Sequence, residues 1–199
     1  MTVDAWSVVR HIHHYGSPIT GRVTSLQPFH SSCGSLDLDG YIHLETTSQF
    51  PAVLRYSDLV NDPADFDVSK LPSVGNEVDT VVRNFVENTL ILSARPYDLS
   101  KKRINQWQRY YEYIETLKMG DEITGTVTRV RPFGLFVDIG SEFRGLIDIG
   151  HNTWLVSTPQ LPYDPSQWPQ VGDPIRCKIE YLRLHGQKIG LGWLPGCVD

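Results

Sequence analysis

The sequence predicts a mainly β protein: two tandem five-stranded barrels of the OB type, each preceded by an α-helix. Three observations predict it. A block of residues recurs at a fixed offset of 104 positions. Each copy continues into short runs rich in Thr, Val and Ile, cut by Gly, Pro and Asn turns. An aromatic stripe at helical spacing lies between the copies.

Gly16, Ile19, Thr20, Gly21, Val23, Thr24, Pro28 and Phe29 recur as Gly120, Ile123, Thr124, Gly125, Val127, Thr128, Pro132 and Phe133. Eight of fourteen aligned positions are identical, far above chance at one offset. The match continues with small register changes. Gly40-Tyr41-Ile42 pairs with Gly145-Leu146-Ile147, Val74-Gly75 with Val171-Gly172, and Leu90-Ile91-Leu92 with Ile189-Gly190-Leu191.

In the second copy, Glu122 to Val130 reads as a strand and Pro132 to Gly134 as a turn or bulge. Leu135 to Ile139 alternates as a second strand, and Gly145 to Asp148 is a short third. Residues 149–171, with four prolines, form a long connection. Ile175 to Leu182 is a fourth strand, His185-Gly186 turns, and Lys188 to Leu191 is a fifth. Five short strands with a long connection after the third describe a small Greek-key barrel. The first copy repeats this order from Ile19 to Ser93.

Residues 101–118 place Ile104, Trp107, Tyr111, Ile114 and Leu117 on one helical face, with Ser100 as N-cap and Gly120 as stop. Residues 4–15 hold a weaker helix carrying Trp6, Val9 and His13, and Trp6 lies 104 residues before Tyr110. The expected organisation is an N-terminal helix at 1–17, a first barrel at 18–96, a linker helix at 97–118 and a second barrel at 119–199. The aromatic stripe reads as packing against a barrel or as a partner surface.

The run Gly125, Val127, Phe133-Gly134-Leu135-Phe136-Val137, Gly145-Leu146-Ile147, Val171-Gly172-Asp173 and Ile189-Gly190-Leu191 resembles the RNA-binding domain named for ribosomal protein S-one. The likeness extends from Pro18 to Gly192 and is stronger in the second copy. It implies a barrel that binds single-stranded RNA. Phe133 and Phe136 match the family's two stacking aromatics. Lys188 best matches a basic side chain that meets the phosphate backbone near the fifth strand. Where the family's third strand often carries a histidine, the second copy has Asp148, which adds repulsion toward phosphate, with His151 close by as a substitute. The first copy keeps the histidine as His43. Its Phe29 matches the first aromatic, His30 replaces the glycine, and Ser31 to Gly34 occupies the second aromatic's stretch.

Strand parity gives an independent reading. Leu135, Val137 and Ile139 fall on the core side, so Phe136 shares the outer face with Gly134 and Asp138. An outward Phe exposes apolar surface unless a base stacks on it or another element covers it, and both readings stand. Arg129 and Arg131 share a parity, Arg144 precedes the third strand, and Lys188 enters the fifth.

Composition sets limits. The 199 residues are 40% hydrophobic and 21% charged, a globular rather than a disordered balance. There is no membrane-spanning apolar run. Met1 to Asp4 lacks a basic segment leading into an apolar core, so no secretory leader is expected. Three scattered cysteines fit a cytoplasmic location rather than a disulfide framework. The net charge of −5 argues against a purely electrostatic grip on nucleic acid. Residues 1–96 carry 6 basic and 11 acidic residues, and the cluster Asp58, Asp62, Asp65 and Asp67 reads as a solvated loop. No phosphate-cradling loop, nucleophile elbow or metalloprotease motif is present. His11, His13 and His14 lack a further ligand at metal spacing. The expectation is a non-enzymatic single-stranded RNA-binding protein with no cofactor and no metal. A second reading is a protein-interaction module that docks onto a ribosome or an RNA-processing partner through the first barrel and helix.

Overall fold

The computed structural model describes residues 4–27, 31–32, 35–36, 40–149 and 161–196. By packing, the chain divides into two units, Met1–Arg109 and Tyr110–Asp199. Among the described residues no helix is long and apolar enough to cross a membrane.

The first unit opens with α1 (Ala5–Ser7), capped by the Asp4 carboxylate, which accepts from the Trp6 and Ser7 amides. A π-type turn, Val8–Ile12, follows at once. The helical spacing expected over 4–15 therefore fails after one turn. Val8 and Val9 are buried, while Trp6 stays exposed.

Then come β1 (Pro18–Leu26), a two-rung ribbon of β2 (Ser31–Ser32) and β3 (Ser35–Leu36), β4 (Tyr41–Glu45), β5 (Ala52–Arg55), β6 (Glu77–Val86) and β7 (Thr89–Ser93). They close in the order β1-β4-β5-β7-β6, with β6 returning to β1 and β5 parallel to β7. The β6–β7 hairpin turns through Glu87 and Asn88, both at positive φ, as a two-residue primed turn requires.

The second unit repeats this closure. β8 (Glu122–Arg131), β9 (Gly134–Asp138), β10 (Gly145–Asp148), β11 (Pro174–Arg183) and β12 (Lys188–Leu194) close in the order β10-β12-β11-β8-β9, with β10 parallel to β12. The register matches rung by rung. Val23 opposes Leu44 as Val127 opposes Val137, and in each barrel the next residue, Thr24 or Thr128, is an extra residue in the strand. The Thr24 hydroxyl donates to the His43 carbonyl at 3.1 Å, and the Thr128 hydroxyl to the Phe136 carbonyl at 3.2 Å. A second bulge recurs at Arg83 and Glu180.

This register corrects one expectation. Tyr41–Glu45 pairs with β1 on one side and β5 on the other, so it is the second barrel strand and not the third. The third is Ala52–Arg55, which runs parallel to the last strand.

A second correction concerns Asp58. It is 2% exposed rather than solvated, and it pairs with Arg83 and, at 2.7 Å, with Arg95. Burial pushes its carboxyl above the usual range even though both guanidinium groups pull it down. Asp62 and Asp67 do face solvent, each capping a short 3-10 turn.

α2 (Pro96–Leu99) leads into α3 (Lys101–Glu115), whose first turn is capped by the Ser100 hydroxyl, which accepts from the Arg103 amide at 3.3 Å. The boundary between the units falls inside this helix. Its first half packs with the first unit, where Trp107 meets Tyr15 at 5.8 Å. Its second half packs with the second unit. Tyr110, absent from the expected face, is fully buried and edge-on to Phe143 at 5.0 Å.

Candidate nucleic-acid interface

The β8–β9 hairpin builds the centre of the site. Leu135 and Val137 are completely buried, at about 1.5–3 kcal/mol each for the transfer from water. Alternation then turns Phe136 outward, where it is half-buried. Gly134 is the hinge that lets this happen. Its φ is +145°, and a Cβ there would sit 1.9 Å from the Ile147 carbonyl oxygen. The backbone of the neighbouring strand, at Ile147 and Asp148, fills the space a side chain would need. Phe133, just before the hinge, is 49% exposed, and its ring meets Phe136 edge to face at 6.0 Å.

Cations gather around this pair. The Lys188 ammonium lies 5.3 Å from the Phe136 ring centroid, a cation–π contact. The Tyr110 hydroxyl donates to the Lys188 carbonyl at 3.1 Å, which fixes the backbone that carries the ammonium. Arg129 opposes Phe136 in register and Arg131 opposes Gly134. Both arginines are exposed, and neither makes an ion pair among the described residues. Arg144 is also exposed, before β10. Its carbonyl accepts from the Ile189 amide, and no described contact joins its side chain to the aromatic pair.

Asp148 does not stand as a bare negative charge. Its Oδ2 accepts from Arg183 at 2.8 Å, and its side chain is 14% exposed. Sequence reasoning missed Arg183. The signal was available, because the turn at His185-Gly186 sets Arg183 directly across from Lys188. Tyr181, two residues earlier, lays its ring over Gly190, where a Cβ would come within 2.4 Å. Burial first, and then the charge of Asp148, push the Tyr181 phenol up to about 12. Cys177 is wholly buried, and burial pushes its thiol up to about 12, which keeps it unreactive.

His43 is exposed, but on the second strand. Its register position, opposite Ser25 and one residue past the bulge, is the one Phe136 holds in the other barrel. It is therefore not a third-strand histidine. The three N-terminal histidines do not converge. His13 contacts the Ser48 hydroxyl at 2.9 Å and the Phe50 ring at 6.0 Å, while His11 lies edge-on to Trp6. Phe29 and His151 lie outside the described residues, as do Cys33 and Cys197.

Residues 116–192 match the family model described as S1 RNA binding domain. The small ribosomal subunit protein bS1 of Staphylococcus saprophyticus is 28% identical over 145 residues, covering 71% of this chain and 32% of that protein. The bS1 protein of Coxiella burnetii is 22% identical over 189 residues, covering 95% of this chain and 30% of that protein. The chain thus spans about a third of the length of these relatives. Among solved structures, GSP13 from Bacillus subtilis is 27% identical with a TM-score of 0.32, covering 39% of this chain and 56% of that one.

Proposed function

We propose that this chain, whose residues 116–192 match the S1 RNA binding domain, binds single-stranded RNA on the outer face of its second barrel. The observation that carries the reading is the pair Phe133 and Phe136, edge to face with the first exposed and the second half-buried, with Lys188 over one ring and Arg129 opposite it. A base stacked on Phe133 or Phe136 covers apolar surface that water now touches, worth about 1–3 kcal/mol per base. Arg129, Arg131 and Lys188 meet the phosphates on either side. Stacking tolerates any base, and a short basic strip suits a chain of net charge −5, so the affinity is modest and its salt dependence shallow. The chain works by binding alone, in translation or RNA metabolism. The acidic first barrel contributes little RNA contact. It serves as the protein-facing or spacing module, a role favoured by a histidine where the second barrel has its aromatic.

Titration of a fluorescent single-stranded RNA into the full chain tests this. Phe136→Ala is expected to weaken binding about 5- to 150-fold, the equivalent of about 1–3 kcal/mol, with the melting transition retained. Lys188→Ala is expected to lower the slope of log affinity against log salt by about 0.7, one phosphate on a single strand. Unchanged affinity in Phe136→Ala would remove the stacking mechanism. A collapsed melting transition would make the ring a core residue.

A further inference from the structure

The Asp148–Arg183 pair sits at the edge of this face, and neither residue has a role in the stacking site as described. A carboxylate next to a phosphate-binding strip opposes binding, unless it holds something useful. The geometry points to Arg183 as a further phosphate-contacting residue, aimed by Asp148, which acts as a positioning residue. This inference rests on the RNA-binding reading above.

Three observations support it. Arg183 lies directly across the β11–β12 ladder from Lys188, whose ammonium is over the Phe136 ring, so the two cations flank the same stretch of surface. The Arg183 side chain is 41% exposed while the carboxylate holding it is 14% exposed. The pair thus turns its positive member outward. A guanidinium has five N–H donors in a fixed fork, and the Asp148 contact through Nη1 leaves most of the fork for a second anion. Below it, Tyr181 packs flat over Gly190, which sets β11 at a fixed height against β12. A free surface arginine loses side-chain freedom when it takes a phosphate, whereas one already held loses less. The local negative charge is the cost of that orientation. Asp148 and Arg183 together add no net charge, so composition and charge counts hide the contact.

Simple electrostatics predicts the opposite sign, and this makes the test sharp. The full chain is titrated with a fluorescent single-stranded RNA at several salt concentrations, as wild type, Arg183→Gln, Asp148→Asn, the double variant and Arg183→Lys. Arg183→Gln is expected to weaken binding roughly three- to tenfold and to lower the salt slope by about 0.7. Asp148→Asn is expected to weaken binding as well, although it removes a negative charge from the face. The double variant is expected to match Arg183→Gln alone, because the carboxylate has nothing left to aim. Arg183→Lys keeps the salt slope but loses part of the affinity. Should Asp148→Asn disturb the melting transition, Arg183→Gln and Arg183→Lys still decide the point. Tighter binding by Asp148→Asn, or an Arg183→Gln variant with unchanged affinity and slope, overturns the inference and leaves the stacking site standing. Absence of RNA binding by the wild type overturns the functional reading itself.

Discussion

Where the second barrel turns Phe136 outward, the first turns His43. The two barrels share strand order, both bulges and the threonine bond that closes the first bulge. Their inward positions are conservatively apolar, Ile42 and Leu44 against Leu135 and Val137. Their outward positions have little in common. Register places Ser25 where the second barrel has Arg129, Gln27 for Arg131, Tyr41 for Gly134, Arg55 for Asp148, Thr89 for Lys188 and Val86 for Arg183. The fold is carried by core-facing residues and bulges, and the proposed binding chemistry by the other half of each strand. One set can change without the other.

The largest expected effect comes from breaking the comparison at its tightest point. Gly134→Ala forces a Cβ into the Ile147 carbonyl at a backbone angle that side chains avoid, and is expected to cost about 3 kcal/mol or more. The register-equivalent Tyr41→Ala in the first barrel removes only a half-buried ring and is expected to cost about 1 kcal/mol. Chemical denaturation of both variants reads the contrast, and equal losses would show that the two hairpins are not built alike.

Exchanging the outward residues sharpens it next. Phe136→His is expected to weaken single-stranded RNA binding about tenfold, within the range of one lost stacking contact. His43→Phe is expected to strengthen binding only about twofold, because Ser25 and Thr89 supply no cation beside the new ring. Both are measured in the full chain, and a His43→Phe gain as large as the Phe136→His loss would show that the cations matter little.

The smallest effect separates the barrels by pH. Burial lowers the His13 imidazole below its usual 6.5. A depressed folded-state value means its contribution is present above 6.5 and is lost as pH falls below that. The first barrel is therefore expected to lose a little melting temperature between neutral and mildly acidic pH, and His13→Gln is expected to flatten that part of the profile. Asp58 acts in the opposite sense. Its raised carboxyl favours the folded state at low pH, and this contribution fades as pH rises above the ordinary carboxylate range.

Much of this was legible in the residues. The 104-residue offset holds through the first strand of each barrel, where Ile19 opposes Thr80 as Ile123 opposes Cys177. Alternation placed Leu135 and Val137 inside and Phe136 outside. What stayed hidden depended on distant partners. Tyr41–Glu45 alternates equally well as a second or a third strand, and only pairing with both β1 and β5 decides between them. Asp58 reads as one more loop acid until Arg83 and Arg95, far along the chain, close over it. Arg183 reads as a plain surface charge until Asp148, 35 residues earlier, holds it. The N-terminal helix forms over residues 5–12, shorter than expected, and its second part is a π-type turn that departs from the period on which the expectation relied.

The Tyr110 hydroxyl bond to the Lys188 carbonyl has a kinetic meaning. It ties the second half of α3 to the backbone under the ammonium that rests on Phe136. On the proposed RNA-binding reading, encounter with a strand depends on long-range charge and is indifferent to this tie, whereas departure is slower the more firmly the backbone under Lys188 is held. A tyrosine buried behind the surface would then help set how long a strand stays there.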